Sequence, residues 1–162
     1  MKKILFKTEM VRAILEGRKT QTRRIHKDMS KPRYNVGEIV YVGESYFLCD
    51  SGHRYAADLK TPCWPTCDEF CDRLAGYCDA HRNLKKIAGM FMPEKYARRK
   101  LKIIKAQKQK LFKMSEKEAA AEGFIDDKNY SALGNFYKYF KNINPKISWG
   151  TEFWAYTFEV VK

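Results

Sequence analysis

The feature that most constrains the fold is a pair of long segments in which apolar side chains recur at alternate positions. Basic and apolar residues alternate in part over residues 99–110, and large apolar groups occupy alternate positions over residues 153–161. A period of two residues is typical of strands that bury one face and expose the other to water. With few short helical patterns beside them, these segments predict an α+β fold whose strands form a closed or nearly closed β-barrel.

Two further strands and a helix are predicted near the start of the chain. Met10 and Ile14 lie on the apolar face of a helix over residues 9–16, which Gly17 ends as a left-handed residue. Residues 18–25 are predicted to be extended. Residues 36–42 are predicted to form a turn and then a strand, because β-branched and aromatic side chains dominate there.

A second helix is predicted to begin with a capping box and to end at a glycine. Ser115 is followed three residues later by Glu118, and Gly123 closes the alanine-rich segment between them. Glu122 falls in the last turn, where the negative end of the helix dipole disfavours an ionised carboxylate. That position would suit a general acid, and a solvated glutamate beside a helix end is the alternative.

A third helix, over residues 129–142, is predicted to face the core. One stripe at helical spacing contains Leu133, Phe136, Tyr137 and Phe140. An aromatic stripe of this kind is more often core than a ligand-binding surface.

The length of the chain predicts one domain. With 162 residues and 44% hydrophobic side chains, the chain can build a single core. Residues 49–82 are interpreted as an insertion in it, because cysteine, proline and aspartate collect there and the apolar periodicity weakens. No apolar stretch is long enough to span a bilayer or to form a secretory signal, so we expect a cytoplasmic protein without a membrane partner. We also expect a monomer.

The charge of the chain predicts a polyanionic partner. The formal net charge is +13 at pH 7, and residues 95–113 contain nine lysines and arginines and no acid. Segregated positive charge is what binding to RNA or another single-stranded nucleic acid requires. The alternative is a lysine-rich strand whose wet face protects a sheet edge against aggregation.

Five cysteines cluster in the middle of the chain, at Cys49, Cys63, Cys67, Cys71 and Cys78. In a cytosolic protein such a cluster favours a metal site or free thiols over disulfides. A structural zinc site in the insertion would take four ligands from one set of residues: Cys63, Cys67, Cys71, Cys78 and His81. The alternative is reduced thiols packed against neighbouring aromatic side chains.

The most concentrated reactive groups lie in the run Gly17-Arg18-Lys19-Thr20-Gln21-Thr22-Arg23-Arg24. It combines anion-binding cations with threonine hydroxyl groups. This run, with residues 36–42, Glu44 and residues 115–123, resembles the ASCH domain of the PUA-like superfamily, and its phage and prophage branch most closely. The resemblance covers nearly the whole chain and implies a small mixed barrel with flanking helices and a cleft for a nucleotide or an RNA end. The cysteine-rich insertion is longer than the family pattern usually shows.

Some ASCH proteins are amidohydrolases that remove the acetyl group from the exocyclic nitrogen of acetylcytidine. The resemblance implies that Lys19, Thr22 and Glu122 are the catalytic lysine, threonine and glutamate, with Glu118 one helical turn from Glu122 on the same face. We expect RNA or a modified nucleoside to be bound by a further set of residues: Arg18, Arg23, Arg24, Glu44, Arg98, Arg99, Lys100 and Lys102.

Amide hydrolysis by these residues requires no cofactor. Thr22 would attack as the nucleophile, Lys19 would act as the base if burial or neighbouring arginines lower its proton affinity, and Glu122 would protonate the leaving amine. In a regular strand, residues three apart point to opposite faces, so the proposal needs a turn or bulge between Lys19 and Thr22.

Three other functions stay open. The basic run would also hold an RNA backbone without reacting with it. RNA cleavage, with His26 as an acid or base, is a second alternative. Binding of an acidic host protein through the aromatic residues of the insertion is a third.

Overall fold

The computed structural model describes residues 1–49, 52–58 and 85–161, and these form an α+β fold. The strands are β1 (Lys2–Leu5), β2 (Gln21–Arg24), β3 (Ile39–Gly43), β4 (Tyr46–Cys49), β5 (Gly52–Tyr55), β6 (Lys85–Ile87), β7 (Lys100–Lys110) and β8 (Glu152–Val161). The α-helices are α1 (Thr8–Leu15), α2 (Glu116–Ala121) and α3 (Ala132–Ile143), and short 3-10 helices cover Ala56–Asp58, Gly89–Phe91, Glu94–Tyr96 and Leu111–Lys113.

The strands form two sheets. The larger has five strands in the order β1-β3-β7-β8-β2, and the smaller has three in the order β5-β4-β6. Within the described residues neither strand order closes on itself, so the mixed α+β class is confirmed and a closed barrel is not found there.

The contacts between residues group the chain into two units. One consists of Met1–Arg12 with Tyr41–Arg98, and the other of Ala13–Val40 with Arg99–Lys162. We call them the first and the second unit. The prediction of a single domain stays a prediction. Most of the predicted insertion, residues 50–51 and 59–82, lies outside the described residues.

The second unit is organised around the antiparallel pair β7 and β8. Lys100 lies opposite Val161 at one end and Lys110 opposite Glu152 at the other, with a β-bulge between Ile103 and Lys105. The two alternating segments of the sequence are therefore neighbouring strands, as their period of two residues predicts for a sheet.

The core of this unit lies between the sheet and the helices α2 and α3. The buried cluster consists of Leu111, Met114, Ala119, Ala132, Phe136, Phe140, Ile147, Phe153 and Ala155, and Leu133 and Tyr137 pack against it half-buried. Phe136 and Phe140 stack with ring centroids 5.1 Å apart. The prediction that the aromatic stripe of the third helix faces the core is confirmed.

The helix ends follow the sequence signals. Ser115 and Glu118 form the predicted capping box of α2, each side chain receiving a hydrogen bond from the backbone N–H of the other. Gly17 and Gly123 adopt φ angles of 74° and 92°, the left-handed region in which glycine is strongly favoured. Both glycines therefore end helices where predicted.

The first unit contains the three-stranded sheet, in which β4 pairs antiparallel with both β5 and β6. Met92 is fully buried in this unit, and Ala56 and Ala57 are buried on a 3-10 helix. No helix in the described part of the chain is both long and apolar enough to cross a membrane.

Candidate functional site

The backbone that follows α1 places Lys19 beside the end of α2. The amide N–H of Lys19 donates to the carbonyl of Ala13 at 3.0 Å, which turns the chain directly after the helix. Lys19 then forms an isolated antiparallel bridge with Glu122. The N–H of Thr20 donates to Ala121 at 2.8 Å, so the segment before β2 runs along the C-terminal end of α2.

Gly123 allows this close approach. A Cβ at Gly123 would lie 2.9 Å from the Cβ of Ala13 and 3.2 Å from the Cβ of Lys19. Glycine thus satisfies both the left-handed φ and the lack of space for a side chain.

Lys19 and Glu122 are in direct contact. The Lys19 Nζ lies 2.5 Å from the Glu122 Oε2 and also donates to the Glu122 carbonyl at 2.8 Å. Each residue exposes 3% of its surface. A carboxylate and an ammonium buried together compensate part of the desolvation cost of each other.

Arg23 extends this pair into a network. Its Nη1 donates to the Glu122 Oε1 at 3.2 Å, and its Nη2 lies 3.1 Å from the Glu118 Oε1. Gln109 donates to the same Glu118 oxygen at 3.1 Å. The Arg23 guanidinium, whose side chain is fully buried, also lies over the rings of Phe136 and Phe153. The network joins β2, β7 and α2 on one face of the sheet.

Burial lowers the pKa of Lys19 below the usual value for lysine. Arg24 and Arg23 lower it further, whereas the charge of Glu122 and its hydrogen bond act in the opposite direction. The direction is the one expected from the sequence for a lysine that acts as a base.

Thr22 is buried on the same strand but on its other face. Thr22 lies opposite Tyr156 on β8, whereas Arg23 lies opposite Ala155. This register is continuous over β2, and the Thr20 carbonyl accepts from the Phe158 N–H at 2.9 Å. No bulge therefore occurs in the described pairing of residues 20–24 with β8. Lys19 lies just outside the strand and forms its bridge with Glu122. The turn or bulge expected between Lys19 and Thr22 is therefore not found in this pairing.

The remaining cations of the run differ in exposure. The exposed Arg18 donates from Nη1 to the Gly123 carbonyl at 2.8 Å and pairs with Glu16. Arg24 is half-buried, and burial lowers its pKa while Glu122, Tyr34 and Tyr139 act against that change. Arg18 thus lies at the outer edge of the network, and Arg24 is electrostatically coupled to it.

His26 lies in an aromatic cluster of the second unit. Its Nε2 is 2.9 Å from the Tyr156 hydroxyl, which also accepts from the Arg33 N–H. Burial lowers the pKa of His26, and the charges of Arg33 and Arg24 lower it further. A neutral imidazole is therefore favoured at this position.

Two of the predicted binding residues pair with each other in the first unit. Arg98 donates to both carboxylate oxygens of the buried Glu44, at 2.8 and 3.0 Å, and to Asp58 at 2.8 Å. The guanidinium lies 4.1 Å from the centre of the Tyr55 ring. Although burial opposes the charge, hydrogen bonds to Glu44 and Asp58 raise the pKa of Arg98. Such a bidentate pair fixes the orientation of both side chains.

The basic strand exposes its lysines. Arg99, Lys100, Lys102, Lys105, Lys108 and Lys110 are all exposed. Because of the bulge, Lys102 and Lys105 lie on the face that carries Gln109, whereas Lys108 and Lys110 lie on the other face. The predicted basic surface is therefore divided between two faces of the sheet.

The candidate zinc ligands Cys63, Cys67, Cys71, Cys78 and His81 lie outside the described residues. Among the described residues, no group of three or more histidines, cysteines, aspartates and glutamates is placed to hold a metal ion. The zinc site stays a prediction.

Two members of the network were not expected from the sequence. Glu118 was noted only as a neighbour of Glu122, and Gln109 was not singled out. The signal for Glu118 was its spacing of four residues from Glu122, and Gln109 is a polar residue among apolar and basic ones in a long strand.

Comparison with known proteins identifies no relative: no family model, no curated protein and no solved structure matches the chain.

Proposed function

We propose that this protein is an ASCH-type PUA-like domain that hydrolyses the amide on the exocyclic nitrogen of an acylated nucleoside such as acetylcytidine. The observation that carries the proposal is the buried contact between Lys19 and Glu122, 2.5 Å apart, beside the Thr22-bearing strand. The Gly-Arg-Lys-Thr-x-Thr pattern and the mixed fold of strands with short helices support it further.

The proposed chemistry balances within these side chains. The Thr22 hydroxyl oxygen attacks the amide carbonyl carbon while the neutral Lys19 amine takes the hydroxyl proton. This step requires the chain to turn between Lys19 and Thr22, because the register puts Thr22 on the face of β2 opposite Arg23. That proton moves along the contact to Glu122, which delivers it to the departing nitrogen as the carbon–nitrogen bond breaks. Water then cleaves the acyl-threonine ester, which releases the carboxylic acid and restores the hydroxyl group.

Arg23 positions the glutamate in this scheme. With one carboxylate oxygen of Glu122 on Lys19 and the other on Arg23, the carboxylate has little rotational freedom. Fixing the geometry of a proton-transfer pair is a recognised source of rate enhancement.

The test is release of cytidine and acetate from acetylcytidine. Lys19→Met is expected to lower kcat/KM at least about 100-fold, the lower end of what a general base contributes. Thr22→Ala is expected to be as severe, with Thr22→Ser retaining activity. Thr20→Ala is the matched control, because Thr20 is an exposed threonine of the same run.

The proposed mechanism predicts that kcat/KM increases with pH. The base must be neutral, so kcat/KM should rise with pH as Lys19 loses its proton and fall at lower pH. Because the pKa of Lys19 is lowered, the midpoint should lie below the usual lysine value of about 10.4.

Two results separate the alternatives. If Thr22→Ala keeps the full rate while Lys19→Met is inactive, water activated by Lys19 is the nucleophile, which fits a Thr22 on the face opposite Arg23. If the unmodified protein releases no cytidine at neutral or alkaline pH, from the nucleoside or from RNA containing it, the amidohydrolase proposal is wrong.

A second candidate function is binding of RNA without turnover. The exposed lysines of β7 favour it, because cations spaced along a strand neutralise successive phosphates.

A further inference from the structure

A groove of about 950 Å³ lies along α3. Its lining includes Tyr130, Tyr137, Lys138 and Lys141. We call this surface the α3 groove. All of its lining residues belong to the second unit.

The α3 groove is rich in aromatic rings that keep part of their surface exposed. Tyr130 exposes 47% of its surface. Tyr137 stacks in parallel on Trp149, with ring centroids 4.4 Å apart and planes 3° apart, and Trp149 itself exposes 49%. Trp149 does not itself line the groove but adjoins it through Tyr137. An exposed ring held in such a stack can receive an unpaired base.

The charged side chains that line the α3 groove are two lysines, with no aspartate or glutamate among the lining residues. Asp127 lies next to the groove, because it accepts from the lining Asn135 at 3.0 Å. The Lys138 ammonium lies 5.0 Å from the centre of the Tyr130 ring, and the Lys141 ammonium lies 5.8 Å from that of Tyr137. Each ammonium group therefore lies over a tyrosine ring of the groove.

Alternating rings and cations match one class of ligand. A single-stranded nucleic acid offers unpaired bases, which stack on aromatic side chains, and phosphates, which bind lysines. An acidic protein would satisfy the lysines but not the exposed rings, and a duplex conceals the faces of its bases. The net charge of +13 attracts any such polyanion to the protein.

We infer that the α3 groove binds single-stranded nucleic acid, with bases on Tyr130 and on the Tyr137–Trp149 stack and phosphates on Lys138 and Lys141. This inference is independent of the proposed hydrolysis, since none of these side chains belongs to the network of Lys19, Arg23 and Glu122. RNA and DNA share the chemistry that the groove recognises.

Fluorescence anisotropy with labelled oligo-U and oligo-dT of about ten nucleotides, a length within known site sizes, tests the inference. The variant Lys138→Gln/Lys141→Gln should bind more weakly and reduce the slope of log K against log salt by about 1.4, or about 0.7 per contact. The matched control is Lys31→Gln/Lys117→Gln, which removes the same charge from exposed positions outside the groove.

The stacking part of the inference has its own variants. Trp149→Ala should weaken binding about 5- to 150-fold, as removal of one stacked base contact does, whereas Trp149→Phe keeps a ring and should retain most of the affinity. Binding should also quench tryptophan fluorescence, and Trp149→Phe should remove that quenching. Equal thermal unfolding midpoints establish that the variants are folded.

Three results would overturn the inference. The first is a loss of affinity in the control pair as large as in the groove pair. The second is duplex DNA or polyglutamate binding as tightly as the single strand, with no effect of Trp149→Ala. The third is no binding of either oligonucleotide at low salt.

The groove variants are expected to retain acetylcytidine hydrolysis, because they change no residue of the proposed catalytic set. Failure of one proposal would therefore leave the other standing. A difference between oligo-U and oligo-dT would identify which nucleic acid the groove prefers.

Discussion

At the scale of single residues, the buried charges of the second unit depend on Glu122. Two cations, Lys19 and Arg23, contact its two carboxylate oxygens, and all three residues expose 3% of their surfaces. Replacing Glu122 with a neutral side chain would remove its negative charge from beside both cations, whereas Arg23 would keep its contact with Glu118. The cost of an uncompensated buried charge greatly exceeds the worth of an exposed ion pair.

We therefore expect Glu122→Gln to lower the free energy of unfolding by about 3–5 kcal/mol, measured by urea denaturation. Glu159→Gln is the matched control, because Glu159 is an exposed glutamate of β8, and its change should stay within about 0.5 kcal/mol. Adding Lys19→Met to Glu122→Gln should recover part of the loss, since no lysine charge then remains buried. Similar losses in the two glutamate variants would contradict this account.

Residue identity predicted the site only in part. The run from Gly17 to Arg24 identified Lys19, and the end of the second helix identified Glu122, because local signals mark both positions. The role of Arg23 as a buried clamp on two glutamates was not predictable, since it depends on how β2 and α2 meet. The pairing of Arg98 with Glu44 was missed for the same reason: 54 residues separate them.

At the scale of elements, α2 connects the capping box to the site. Glu118 accepts from the Ser115 N–H at its start, and also from Gln109 and Arg23. One turn later Glu122 meets Lys19. Because the helix is only six residues long, both glutamates lie within about one turn of a helix end.

Gly123 offers a direct test of that connection. In Gly123→Ala the new Cβ would strain a left-handed backbone and collide with Ala13 and Lys19. Gly37→Ala is the matched control, because Gly37 has a φ of 83° and no atom within 4 Å of its added Cβ. We expect about 1–2 kcal/mol of destabilisation for Gly37→Ala and a further 1–3 kcal/mol or so for Gly123→Ala from overpacking. Equal urea midpoints would show that the contact with Ala13 relaxes without cost.

The elements themselves were largely predictable. All three helices and the two long strands occur within a few residues of their expected bounds, because strong periodicity and caps are local properties. The sheet order was not, since β2 joins the edge of the sheet through β8, whose paired residues lie 130 to 136 positions further along the chain. Nothing in a local pattern specifies such a pairing.

At the scale of the whole molecule, the net charge of +13 predicts binding of polyanions that weakens with salt. The structure divides the lysines of β7 between two sheet faces, so one set can be removed alone. We expect Lys100→Gln/Lys102→Gln/Lys105→Gln to reduce the salt slope of RNA binding by about 2, at about 0.7 per phosphate contact. The same three changes at the exposed Lys27, Lys31 and Lys117 form the control. An equal reduction in both would mean that charge acts without regard to position.

The bulge between Ile103 and Lys105 has a consequence for how mutations along β7 propagate. Its one extra residue, Ile104, has no partner on β8, so every later residue of β7 pairs one position further on than a regular ladder would give. Gln109 therefore lies opposite Phe153, where it contacts Glu118 and Arg23. Deleting Ile104 alone would remove only the unpaired residue, since Ile103 and Lys105 already face the consecutive partners Phe158 and Thr157, and Gln109 would stay opposite Phe153. A single omitted codon at this point would thus straighten the ribbon and leave the amide beside the arginine clamp.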